Sequence, residues 1–184
     1  RSALLVGISL ALNDKEAFYI PVGHDSGKNL PFIETLSLLK PIIESKKIKK
    51  IGQNLKYDYQ IFKKYNITMN GIFFDTMIAA YIIEPGKRQY NMDALALHWL
   101  NLKTISIESL IGKGKEQKSF ATVPVAEAAS YAGEDAIIPL KLMDVFFPIL
   151  KERNLMDLLH DIEVPLIPVL AEMEWNGIEI DTSL

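Results

Sequence analysis

The sequence predicts an α/β fold in which two strands come first and strands and helices then alternate. Residues 4–12 alternate in polarity and are rich in Leu, Val and Ile, and a second apolar stretch covers residues 17–22. The polar segment NDKE at 13–16 separates them, a pattern typical of a β-hairpin. Beyond residue 31, apolar side chains recur at helical spacing and short extended segments separate the helical ones, which indicates a layered α/β arrangement.

Each later element has its own start or stop signal. Proline suits the start of a helix, asparagine suits the N-cap, and glycine suits the end. The tail is accordingly expected to form a helix that ends at Asn176 and Gly177, followed by an extended segment. The other predicted elements are a helix over 31–43, a strand over 49–52, a helix over 55–65, an extended segment at 73–74, a helix over 75–83, a helix over 92–100 capped by Asn91, and a helix from Pro124 to about residue 150.

Composition excludes several classes of protein. Of 184 residues, 49% are hydrophobic and 23% are charged, which is typical of a globular domain with a real core. The net charge of −3 argues against a globally basic nucleic-acid binder, and the lack of cysteine excludes disulfides and thiolate metal sites. No apolar run reaches the length of a membrane span. The chain lacks an initial Met and enters strand-like sequence at once, so we expect it to begin part-way through a fold.

The segment SYAGEDAIIPL places polar side chains inside an apolar, alanine-rich helix. Tyr131 and Asp135 are four residues apart and share a helix face, and Glu134 lies at the edge of that face. Asn54 and Asp58 have the same spacing in QNLKYD. A buried carboxylate needs a partner, and a hard divalent cation is one of the few that offsets its desolvation. A solvated helix face is the alternative.

Phosphodiester hydrolysis by two metal ions requires carboxylates that converge from different elements. The two helix faces could contribute to such a site, with a tyrosine hydroxyl orienting water, but spacing alone leaves the alternative open. Asp75 and Asp93 each lie near a predicted helix start, so we interpret them as caps rather than metal ligands.

Five segments occur together in an order and spacing that resemble the 3′–5′ exonuclease domain of the bacterial DNA polymerase I family (family A). They are IGQNLKYDYQIFKKYNI, FDTMIAAYII, MDALALHWLNLKTI, GKGKEQKSF and EAASYAGEDAIIPLKL. The tail IEVPLIPVLAEMEWNGIEID resembles the junction at which the polymerase domain of that family begins.

The resemblance implies an RNase H-like exonuclease fold, with a mixed sheet flanked by helices. It implies an exonuclease domain over residues 1–153, the start of a polymerase domain over 154–184, and a nucleoid-associated, cytoplasmic parent enzyme. The implied activity is proofreading, in which two Mg²⁺ or Mn²⁺ ions support hydrolysis of 3′-terminal nucleotides from single-stranded DNA. The implied partners are the DNA 3′ end and the polymerase domain of the same chain.

The resemblance also implies roles for individual residues. Asp58 and Asp135 match metal-binding catalytic aspartates, and Tyr131 matches the tyrosine that positions the attacking water. Glu134 is expected to make a structural hydrogen bond. The residues expected to contact the DNA 3′ end are Gln53, Asn54, Tyr57, Met77 and Arg88, the last replacing a family arginine that aligns with Gln89.

The sequence departs from the family at its first motif, an aspartate–x–glutamate on a strand that would precede residue 4. Without it, two of the four family carboxylates are absent, so we expect the 184-residue chain to be nearly inactive. Two alternatives stay open. One is a catalytically silent exonuclease-like module, which the presence of Asp58, Tyr131 and Asp135 disfavours. The other is an RNase D-like RNA-processing enzyme, which the polymerase-like tail disfavours.

Overall fold

The first two strands form the predicted hairpin in the computed structural model, which describes residues 4–181. Strand β1 (Gly7–Ala11) pairs antiparallel with β2 (Ala17–Pro21). The side-chain Oδ1 of Asn13 accepts hydrogen bonds from the backbone N–H groups of Lys15 and Glu16, at 2.9 and 3.0 Å. This side chain therefore holds the turn in a defined conformation, as asparagine commonly does.

A second pair of strands is parallel. Strand β3 (Lys50–Gly52) pairs with β4 (Ile72–Asp75), and helix α2 (Leu55–Lys63) lies in the connection between them. A parallel pair needs such a crossover because the chain must return to the same end of the sheet. Within residues 4–181, the antiparallel pair and the parallel pair form two separate two-stranded sheets. Together they contain both kinds of pairing that the predicted mixed sheet requires. The predicted α/β class is confirmed.

The shorter helices fall close to their predicted positions. They are α1 (Phe32–Ile43), α3 (Thr76–Ile83) and α4 (Met92–Leu95), with the π-helical segment Ala96–Leu100 directly after α4. A further short helix, α5 (Ile107–Ile111), lies where the sequence predicted none. Two 3₁₀ turns, Gly114–Glu116 and Phe120–Thr122, lie in the polar segment before the next helix. Across residues 4–181, no helix combines the length and the apolar character that crossing a membrane requires.

The longest element is helix α6 (Val125–Glu152), which has 28 residues. Pro124 lies immediately before it, not at its first helical position as the sequence suggested. Helix α6 packs across β1, β2 and β3 and against α3. It is therefore the element that connects the two strand pairs, and it carries the SYAGED residues.

Residues 4–181 contain two hydrophobic cores. The first is built from α3, the π-helical segment and the second half of α6, with Phe74, Leu142, Phe146 and Leu150 fully buried. The second lies among the hairpin, α1 and α2, and its buried members are Ile8, Leu36, Ile43, Leu55, Tyr59, Phe62, Ile67, Met69 and Ala171.

The chain after residue 153 packs onto the elements that precede it. A π-helical segment (Leu158–Glu163) leads into α7 (Val164–Asn176), which lies against α2. Lys56 pairs with Glu174 at 2.5 Å, and Lys63 pairs with Glu172. Helix α7 ends before Gly177, as predicted.

Candidate functional site

Tyr131 and Asp135 lie one turn apart on α6. Both side chains are partly buried, and each one shifts the pKa of the other. The ring of Phe120, from the 3₁₀ turn before α6, lies 5.9 Å from the Tyr131 ring between centroids. The structure thus brings these two predicted site residues together and limits the directions in which the hydroxyl can point.

Burial dominates the electrostatics of this pair. Desolvation raises the pKa of Asp135 to about 6, the hydrogen bond from Tyr131 opposes that shift, and the nearby charges of Asp93 and Glu134 add to it. Desolvation also raises the pKa of Tyr131, and the negative charge of Asp135 raises it further. The hydroxyl therefore stays protonated at neutral pH, and the Asp135 carboxylate gains when a positive charge approaches.

Asp58 lies in the first turn of α2, in a different environment. Burial raises the pKa of its carboxyl to about 7, its own backbone N–H opposes this by a hydrogen bond, and the charge of Asp75 raises the pKa further. Different carboxylates thus act on the two aspartates: Asp75 acts on Asp58, whereas Asp93 and Glu134 act on Asp135. Within the described part of the chain, no three His, Asp or Glu side chains form a group that could hold a metal ion.

Asp75 is the buried carboxylate that organises the start of α2. It caps α3, as predicted, because its Oδ1 accepts from the N–H groups of Met77 (2.9 Å) and Ile78 (3.3 Å). The same carboxylate accepts from the N–H of Asn54 at 3.2 Å and of Leu55 at 2.7 Å. Sequence reasoning missed this second role, because only the parallel pairing of β3 with β4 brings Asp75 to the start of α2.

Asp93 is not the helix cap that the sequence suggested. The cap of α4 is Asn91, whose Oδ1 accepts from the N–H of Ala94. Asp93 instead accepts a hydrogen bond from the Thr104 hydroxyl at 2.8 Å and adds negative charge near Asp135. The expectation failed because Asn91, two residues earlier, already satisfies the helix start.

Glu134 makes the kind of structural hydrogen bond that the sequence suggested. Its Oε1 accepts from the backbone N–H of Ile105 at 2.6 Å. This contact ties the loop after the π-helical segment to α6.

Two of the predicted DNA-contact residues hold the loop between β3 and α2. Gln53 donates from Nε2 to the Tyr90 carbonyl at 2.7 Å, and its Oε1 accepts from the Thr76 hydroxyl. Asn54 has a φ of 57°, in the left-handed region that asparagine tolerates better than most residues. The Gln53 amide is therefore engaged within the protein.

The remaining three side chains present more surface. Tyr57 is 54% exposed, Arg88 lies in an exposed loop, and Met77 is partly buried in the first turn of α3. Tyr57 and Arg88 are thus accessible to a ligand.

The sequence of this chain matches a known protein family. A family profile described as 3′–5′ exonuclease matches residues 1–151. DNA polymerase I of Pseudomonas aeruginosa is 36% identical over 190 aligned positions, which cover 100% of this chain and 21% of that protein. DNA polymerase I of Chloroflexus aurantiacus is 42% identical, with 96% of this chain and 19% of that protein covered. The chain thus spans about a fifth of the length of these relatives.

Solved structures share the fold. Pol1 from M. smegmatis, in complex with DNA primer-template and dNTP, has a TM-score of 0.74 at 23% identity, with coverage of 96% of this chain and 26% of that chain. NrnC of Brucella melitensis with bound Mg²⁺ has a TM-score of 0.62 at 17% identity, covering 97% of this chain and 88% of that one. The profile match and the DNA polymerase I relatives show that the chain belongs to the 3′–5′ exonuclease family of bacterial DNA polymerase I.

Proposed function

We propose that this chain supplies the proofreading exonuclease of a DNA polymerase I-type enzyme and removes 3′-terminal nucleotides from single-stranded DNA. Family membership supports the reaction type. The observation that carries the proposal is the Tyr131–Asp135 pair, because a protonated hydroxyl held against a desolvated carboxylate suits a site that orients water.

The carboxylate oxygens of the candidate site are the kind of ligand that a hard divalent cation prefers. Asp58 and Asp135 offer carboxylate oxygens in environments that disfavour uncompensated negative charge. Mg²⁺ is commonly held by one or two carboxylates together with substrate phosphates and water. When bound, Mg²⁺ or Mn²⁺ ions would activate water and neutralise charge on the leaving oxygen. Asp58 and Asp135 are the residues that would hold them.

Tyr131 acts on water through its oxygen. If its O–H points toward Asp135, the lone pairs of the hydroxyl oxygen stay free to accept a hydrogen bond. A water molecule that donates to Tyr131 would have its own oxygen fixed in direction. Orientation of this kind lowers the entropic part of the barrier.

The DNA 3′ end would lie against the start of α2 and the loops around it. Tyr57 offers an exposed aromatic ring on which a base can stack, and Arg88 offers a cation for a phosphate. Asn54 and Met77 flank the same region, and both backbone N–H groups bond to Asp75. Gln53 would act by holding the β3–α2 loop, because its amide already bonds to Thr76 and Tyr90.

The domain boundary is proposed at residues 153 and 154, with the polymerase domain following. The exonuclease profile ends at residue 151, which supports this division. Helix α7 packs one face on α2, while Val169 and Met173 on its other side are 50% and 63% exposed. An apolar outer face of this kind suits contact with the polymerase domain.

We also propose that the 184-residue chain alone cleaves slowly, because it provides two of the four carboxylates that the family uses. The test is degradation of a 3′-labelled single-stranded oligonucleotide with Mg²⁺. This chain is compared with a chain extended upstream to include the aspartate–x–glutamate motif. Robust cleavage by the 184-residue chain would contradict the proposal that two further carboxylates are needed for fast cleavage. No cleavage by the extended chain would favour a catalytically silent module. A preference of the extended chain for RNA would favour an RNase D-like enzyme.

A further inference from the structure

A groove runs along α6 beside the face that carries Tyr131 and Asp135. Its volume is about 740 Å³. The hairpin turn between β1 and β2 forms one wall, and the loop at 102–104 forms the other. The α6 residues that line it are Ser130, Gly133, Glu134, Ile137, Ile138 and Lys141. Glu134 lines the groove and its charge acts on Asp135, so the groove lies near the candidate site.

Three lysines from different elements line this groove. Lys15 comes from the hairpin turn, Lys103 from the opposite loop and Lys141 from α6. Across residues 4–181, none of the three forms an ion pair with a carboxylate. Asp14 and Glu134 also line the groove, and Glu134 is engaged with the backbone of Ile105. The groove is therefore lined by three lysines that have no carboxylate partner among residues 4–181, together with two carboxylates.

Hydrogen bonds fix the backbone that presents these lysines. Asn13 accepts from the N–H of Lys15 itself. The loop that carries Lys103 is tied at three points: Leu102 N–H to the Ala96 carbonyl at 3.1 Å, the Thr104 hydroxyl to Asp93, and Ile105 N–H to Glu134. Lys141 lies within a long helix. Such preorganisation reduces the ordering cost of binding.

We propose that this groove binds the phosphodiester backbone of the single strand whose 3′ end enters the site. Ser130 to Lys141 covers twelve residues of helix, and the eleven steps between them span roughly 16 Å at 1.5 Å per residue, which is long enough for several nucleotides. Ammonium groups contact phosphates without reading bases, so this contact is independent of sequence. The inference deepens the proposed function by assigning a path to its substrate strand.

The test compares two triple variants that remove the same charge. The groove variant is Lys15→Gln, Lys103→Gln and Lys141→Gln, and the control is Lys28→Gln, Lys47→Gln and Lys151→Gln, all three exposed and outside the groove. Binding of a fluorescein-labelled oligothymidylate is measured by anisotropy in EDTA over a range of salt concentrations. Circular dichroism confirms that both variants are folded.

The groove variant is expected to bind roughly 10- to 100-fold more weakly near 0.1 M salt, with a salt slope smaller by about 2, at about 0.7 per phosphate contact. The control should change much less. Equal losses in both variants, or no loss in the groove variant, would overturn the proposal. Since binding is measured in EDTA, failure of the cleavage proposal leaves this test intact. A variant Asp58→Asn with Asp135→Asn should retain salt-dependent binding.

Discussion

The carboxylate of Asp75 accepts a hydrogen bond from the backbone N–H of Leu55 at 2.7 Å, across twenty positions of sequence. Its other oxygen accepts from Asn54, Met77 and Ile78. One buried side chain thus satisfies N–H groups at the starts of both α2 and α3, which would otherwise lack partners. The position of Asp58, one turn into α2, depends on this arrangement.

Replacement Asp75→Ala is expected to destabilise the protein by about 2–4 kcal/mol, since it removes a cap and leaves buried N–H groups unsatisfied. Urea unfolding measures the effect. Asp75→Asn keeps one acceptor oxygen and should lose less. A loss below about 1 kcal/mol for the alanine variant would show that water replaces the carboxylate at both helix starts.

Replacement Tyr131→Phe in the upstream-extended chain is expected to lower kcat by about 10- to 100-fold, because it removes the hydroxyl that we propose orients the attacking water. KM should change little. The matched control is Tyr65→Phe, which loses a hydroxyl that accepts from Leu5 N–H at 3.3 Å, away from the site. Equal kcat losses in the two variants would assign the effect to stability instead.

The free energy of unfolding of the metal-free protein should fall as pH rises from about 4 to 7. Burial raises the folded-state pKa of Asp58 from 3.8 to about 7, so the folded state binds more protons in that window. Asp135 and Asp75 shift in the same direction. Asp58→Asn removes one contribution, so the variant should gain stability relative to wild type as pH rises.

The gain for Asp58→Asn is expected to reach about 1–3 kcal/mol at pH 8. One pKa unit corresponds to about 1.4 kcal/mol, and water still reaches part of this side chain. Thermal or urea unfolding in EDTA at pH 4, 6 and 8 provides the measurement. If the difference in unfolding free energy between the two proteins does not change with pH, then water solvates Asp58 well enough to prevent the shift of its pKa.

Cleavage by the upstream-extended chain should stop in EDTA and return when Mg²⁺ or Mn²⁺ is added. Asp135→Asn should lower the metal affinity, since it removes a proposed carboxylate ligand, so that more metal is needed for half-maximal activity. Activity that persists in EDTA after dialysis would contradict a metal-dependent mechanism.

Much of the fold follows from local sequence signals. The hairpin, the capping of α4 by Asn91 and the glycine at the end of α7 are decided by nearby residues, so the sequence predicted them. The separation of the strands into two ladders, the contact of α7 with α2 and the second role of Asp75 depend on long-range packing. No local pattern reports such contacts.

The candidate site divides in the same way. The helical spacing of Tyr131 and Asp135 predicted a shared face, and the charge of Asp135 raises the pKa of Tyr131. The environment of Asp135 was not predictable, because Asp93 comes from a different helix and its charge acts through space. The assignments of metal-binding and DNA-contact roles remain predictions.

Burial along α6 is uneven. In the first half of α6, before residue 138, Ala128 is the only buried side chain. In the second half, the buried side chains are Ile138, Pro139, Leu142, Phe146 and Leu150. Amide hydrogen exchange should therefore be slow in the second half of the helix and faster around Tyr131 and Asp135. The turn that carries these two side chains can open locally while the rest of α6 stays protected, so the site can fluctuate without unfolding the domain.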